Sequence, residues 1–188
     1  RTAAFEAVYL GPNPSPAAKM KTVKDIPFRE VLEHFDAVHP VREEGNFATN
    51  GWARGLLLST NELCQGVWRL VELSPDEVLE ICLPHHRGEK SAGGTTVLLE
   101  GDGATAGDAV TRLQSLADYS TTNEVCWGKI QYWAGRDAEP IILSTTAPKH
   151  MQDVVADAKF FHIDGLHRIL AWGLGGATLP VQAFLAGR

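Results

Sequence analysis

The chain has 188 residues, with 17 Lys and Arg against 23 Asp and Glu and 44% hydrophobic residues. That is a folded, globular composition, long enough to bury a core without disulfide staples. The net charge of −6 argues against a protein whose work is gripping nucleic acid, no run reaches the ~18–20 apolar residues of a membrane span, and residues 1–10 lack the apolar stretch of a signal peptide. Three scattered cysteines fit a reducing cytosol better than a secreted disulfide framework, so the expected location is cytoplasmic.

Residues 5–10 read as a short strand, and the GPNPSP run after them as a turn. A helix is expected from about Asp25 through Phe35, with Pro27 in its first turn. Residues 41–53 are polar and irregular and read as a long loop. Residues 67–73 alternate as a strand. Ser74, Pro75 and Glu77 then carry the signature of a capped helix start, and Pro84 stops that helix.

Residues 85–94 read as a loop and 95–100 as a strand. The glycine-rich run 101–107 lacks the spacing of a dinucleotide or P-loop fingerprint and reads as a plain turn. Helices are expected over 108–119 and 127–135, and short apolar strands over 140–144 and 159–163. A helix follows Arg168 and ends near residues 173–176, and a strand over 179–185 completes the pattern. Strands and helices interleave, which predicts an α/β or α+β fold.

The unit strand, Asp164-Gly165-Leu166-His167-Arg168, helix, glycine turn, strand stands out chemically. Gly165 permits a tight turn and close approach of a ligand to the backbone. The first N–H groups of the helix lack internal partners, and the helix dipole favours negative charge there. Arg168 adds a planar fork suited to phosphate or sulfate, and His167 moves a proton near neutral pH. Asp164 is a candidate metal ligand, a base, or the group that orients His167. The plain reading beside this is a helix cap, a satisfied histidine and a surface ion pair. The segment 151–188 holds three acidic and three basic residues, so the motif sits in the least acidic part of the chain.

His85-His86-Arg87 is a second candidate, placed to touch a substrate carboxylate or phosphate. Adjacent histidines and the absence of a His-x-x-x-His or paired-Cys pattern give zinc no sequence support there. Cys126 reads as a buried small hydrophobe rather than a nucleophile, and Arg136-Asp137 as a surface turn pair. Trp133 and Trp172 are expected to pack in the core.

The run Pro140-Ile141-Ile142-Leu143, the Asp164–Arg168 motif, Gly175-Gly176 and Leu179-Pro180-Val181 resembles the ParB/sulfiredoxin-like superfamily over about residues 129–186. The resemblance is weaker over 67–128 and absent over 1–66, which reads as an N-terminal extension of unknown role, packed on or part of the same domain as the ParB/sulfiredoxin-like unit at 67–188. It implies a phosphate or nucleotide pocket around Gly165, Leu166, His167 and Arg168, with His85, His86 and Arg87 over it. The superfamily's sulfiredoxins carry a cysteine where Leu166 stands, so their chemistry is disfavoured. The motif is closest to that of the free-serine kinases, whose catalytic glutamate has Glu43 and Glu44 as candidate counterparts.

Three functions therefore compete. The first is nucleotide-dependent phosphotransfer to a small hydroxyl substrate, with ATP or another nucleotide and Mg²⁺ held at Asp164. The second uses the anion pocket without a nucleotide, expelling a phosphate or sulfate group by elimination or ring closure in a biosynthetic pathway. The third is a non-catalytic ParB-like regulatory module, with residues 1–66 binding a protein partner. The expected ligand in the first two is a small anionic substrate.

Overall fold

The computed structural model describes residues 20–39, 47–87, 97–99, 102–134, 136, 139–154, 158–175 and 180–188. The expected strand at 5–10 and the turn after it lie outside these residues. The protein is an α+β fold built on a five-stranded mixed sheet in the order β1-β2-β7-β5-β6. Its strands are β1 (Lys21–Asp25), β2 (Trp68–Leu73), β5 (Ile141–Ser144), β6 (Phe161–Asp164) and β7 (Val181–Ala186). β7 runs parallel to β5 and antiparallel to β2, while β1–β2 and β5–β6 are antiparallel. A separate ribbon pairs β3 (His86–Arg87) with β4 (Val97–Leu99).

Side-chain alternation along the central strands makes two apolar faces. Val71, Leu73, Ile141, Leu143, Val181, Ala183 and Leu185 face one core. That core is covered by α3 (Pro75–Leu79), α4 (Ala106–Ser115), α6 (Glu124–Trp133) and α7 (Leu166–Gly175), with the short α5 (Tyr119–Thr122) beside them. Trp68, Ile142, Ile163 and Ala186 face the other way, against α1 (Phe28–Val38) and α2 (Phe47–Leu63). α1 contributes Val31 and Phe35 at helical spacing, α2 contributes Leu56 and Leu57, and Cys64 follows just past its end. Burying about 25 cal/mol per Å² of apolar surface makes each such face a major stabiliser.

β1, α1 and α2 are thus part of the sheet and its second face. β1 is an edge strand with all five residues exposed, and its Lys21, Lys24 and Asp25 blunt that edge against further pairing. Part of the expected loop at 41–53 is helical, because α2 starts at Phe47. α1 begins after Pro27 at its N-cap, one position later than the expected first-turn proline. Ser74 closes a full capping box with Glu77, as its sequence signature requires. Trp133 and Trp172 are partly buried against the first core. Among the described residues no helix is long and apolar enough to cross a membrane.

Candidate functional site

The chemistry-bearing side chains gather where β6 gives way to α7. β6 pairs Ile142 with Asp164 and Leu143 with His162, so Ile163 is an extra residue that re-aims the end of the strand. Gly165 then turns at φ +103°. A Cβ there would meet Ile141 Cγ2 at 2.6 Å and Arg168 Nε at 3.2 Å, so the turn and its packing both need glycine. The Gly165 carbonyl accepts the N–H of Ile169, which opens α7. Leu166, the first residue of α7, packs on the apolar core.

On one side of this turn lies a charged triad. Asp164 accepts from Arg168 Nη2 at 2.7 Å through Oδ2, and its Oδ1 stands 3.0 Å from His39 Nε2. Arg168 is 3% exposed, and its Nη1 donates to the Pro140 carbonyl at 2.9 Å. Its guanidinium also lies 5.2 Å from the Trp133 ring. Burial alone would raise the Asp164 pKa. The His39 hydrogen bond and the charges of His39 and Arg168 outweigh it and hold the value at about 2. An ionised Asp164 only accepts, so His39 Nε2 is the donor and Nδ1 carries the lone pair when the ring is neutral.

This geometry corrects two expectations. Arg168 is buried and aims Nη1 at the Pro140 carbonyl and Nη2 at Asp164, so its fork turns into the fold rather than toward an external anion. Asp164 orients His39 rather than His167, and the guanidinium and imidazole N–H groups already on its two oxygens leave it ill-suited as a metal ligand.

On the other side lies a histidine–cysteine cluster. Cys126, in the first turn of α6, places Sγ 3.4 Å from His167 Nε2 and 3.5 Å from His86 Nε2. The Tyr119 hydroxyl donates to the same sulfur at 3.2 Å. The His86 and His167 rings meet edge to face, and donor atoms of the three residues all lie within 4.8 Å of one another. Burial and the neighbouring charges of His86, Lys129 and His162 push the His167 pKa down to about 3, so its ring is neutral at pH 7.

The backbone explains how His86 arrives. Cys82 N–H donates to Phe160 O at 2.8 Å and Cys82 O accepts His162 N–H at 2.9 Å, which lays residues 81–83 along the free edge of β6. His86 follows four residues later on β3. His85 is exposed, and its backbone N–H donates to Asp102 Oδ1 at 2.6 Å. Arg87 is placed by its backbone on β3. Glu43 and Glu44 lie outside the described residues.

The two clusters flank one turn, and the Asp164 charge acts on His167. Between them lies His162, 8% exposed, whose Nε2 has no hydrogen-bond partner among the described residues. Two surface grooves between α2 and residues 148–152 share no residue with either cluster. The sequence reading missed His39 and the role of Cys126. His39 lies 125 residues from Asp164, and Cys126 lies 40 and 41 residues from its histidines, so no local spacing signals either.

No curated protein and no solved structure matches the chain. Residues 20–188 match the model of the Family of unknown function (DUF6309), and the chain belongs to that family.

Proposed function

We propose that the protein is an enzyme acting on a small anionic substrate, from which it expels a phosphate or sulfate group without using a nucleotide. One observation carries this reading: the Arg168 fork is occupied internally, while its partner Asp164 holds His39 as an oriented base beside the start of α7. The carboxylate fixes the imidazole tautomer and steadies the cation that forms when the ring takes a proton, the logic of an Asp–His pair.

In the reaction, His39 Nδ1 removes a proton from an amine or carbon of the substrate. The freed electron pair forms the new ring bond or double bond. The carbon–oxygen bond to the ester group breaks, and its electron pair leaves on the sulfate or phosphate oxygen. That anion departs toward the first turn of α7, where the helix dipole favours negative charge. The charge of Lys129, felt at His167, adds to that field.

Nucleotide-dependent phosphotransfer is the competing reading, supported by the likeness of the Asp164–Arg168 motif to the free-serine kinases. It asks Arg168 for an open fork. The assay is release of inorganic sulfate or phosphate from a panel of small amino-alcohol sulfate and phosphate esters, with and without ATP and Mg²⁺. Release without ATP, falling by about 10²–10⁴-fold in His39→Ala, is expected. Transfer of phosphate from ATP to a free hydroxyl, with no ATP-independent release, would overturn the proposal.

A further inference from the structure

We propose that His86, Cys126 and His167 form a zinc site whose fourth position takes an anionic oxygen. Cys126 Sγ lies 3.5 Å from His86 Nε2 and 3.4 Å from His167 Nε2. Zinc bonds of about 2.3 Å to sulfur and about 2.0–2.1 Å to nitrogen, meeting at the tetrahedral angle, put sulfur and nitrogen about 3.5–3.6 Å apart. Both sulfur–nitrogen distances therefore already match ligand spacing, and the three donors, all within 4.8 Å of one another, are held by α6, α7 and β3, three separate elements.

Burial separates a metal ligand from a nucleophile. Cys126 is 0% exposed, so a carbon electrophile has no approach to its sulfur. A bare ion needs only the space between the two half-buried imidazoles. The first turn of a helix favours the thiolate. The Tyr119 hydroxyl at 3.2 Å supplies the outer hydrogen bond that steadies a metal-bound sulfur. Two imidazoles and one thiolate suit a borderline-soft ion such as Zn²⁺ better than the oxygen-seeking Mg²⁺.

Zn²⁺ with one thiolate and two neutral imidazoles keeps a single positive charge. Two helix N-terminal turns and the Lys129 charge add to it. With three protein donors among the described residues, the fourth ligand is a hydroxide or an ester oxygen. There the ion polarises the departing sulfate or phosphate. This last assignment rests on the proposed function; the metal site rests on its own geometry.

The test uses the full chain, stripped with a chelator and dialysed against Zn²⁺ alone, with bound metal counted by mass spectrometry. About one tightly held zinc per chain is expected, bound at least about 10-fold more weakly in His86→Ala and Cys126→Ser. Because Cys126 is buried, the wild-type chain is also loaded with Co²⁺, and a thiolate-to-cobalt charge-transfer band is expected in the near ultraviolet. Sulfate is then expected to alter the visible cobalt bands. No stoichiometric zinc, a cobalt spectrum without the thiolate band, or His86→Ala binding zinc like wild type would overturn the site. A cobalt spectrum indifferent to sulfate would overturn the fourth-position assignment. Zinc binding without ester cleavage would support the site and sink the proposed function. Cleavage by a chain that takes up no zinc would do the reverse.

Discussion

Arg168 shows how a motif can be legible while its role is not. The run Asp164-Gly165-Leu166-His167-Arg168 marks the start of α7 from sequence alone, yet the direction of each side chain depends on distant partners. Arg168 turns inward because Asp164 and the Pro140 carbonyl satisfy it there. Removing the cation leaves a carboxylate with 14% side-chain exposure short of its main charge partner. Arg168→Ala is therefore expected to cost about 3–5 kcal/mol in urea unfolding. The double variant with Asp164→Ala should cost less than the sum of the two single changes. A fully stable Arg168→Ala variant would contradict the internal role. Gly165→Ala meets both the positive φ and Ile141, and a loss above about 1 kcal/mol is expected by the same measurement. Unchanged stability would remove the claim that the turn needs glycine.

Elements with strong local chemistry were readable, and elements made by tertiary burial were not. Ser74 and Glu77 announce α3, and the structure completes that box with both hydrogen bonds. Thr105 and Asp108 form a second box that starts α4 inside a run read as a plain turn. α2 carries Gly51, Gly55, Asn50 and Thr60, all weak helix formers, so its helix depends on burying Leu56 and Leu57. β1 has no buried residue, so no apolar alternation betrays it. Ser74→Ala and Thr105→Ala should each cost about 0.5–2 kcal/mol. Glu77→Ala should cost more than Ser74→Ala, because Glu77 also accepts from Met20 N–H and pairs with Lys159. Equal losses, compared by denaturant midpoints at fixed slope, would show that the link from β1 to α3 adds nothing.

At the scale of the whole molecule, the sheet is held between two helical layers, and α1 and α2 supply one of them beside the edge strand β1. Deleting residues 1–66 would bare Trp68, Ile142 and Ile163. The remainder is expected to lose cooperative unfolding and to bind hydrophobic dye; a truncated chain that unfolds like the parent would contradict this. Acid stability should fall in two steps. Burial holds His162 at about 4 and His167 at about 3 against their ordinary 6.5, so the unfolded chain takes these protons first and stability drops as pH falls from about 6.5 toward 4 and 3. Asp164, held at about 2 against 3.8, adds a second loss between those values. Urea midpoints against pH read both steps, and a flat profile from 6.5 to 4 would contradict a neutral buried His162. The claim that this turn serves an anion rather than a nucleotide is tested most directly by thermal unfolding with sulfate, phosphate, and ATP with and without Mg²⁺. Sulfate or phosphate at about 100 times its Kd should add about 2.7 kcal/mol, a Tm rise of about 5–11 °C at this chain length, with no dependence on nucleotide. A shift seen only with ATP and Mg²⁺, and none with either anion, would contradict it.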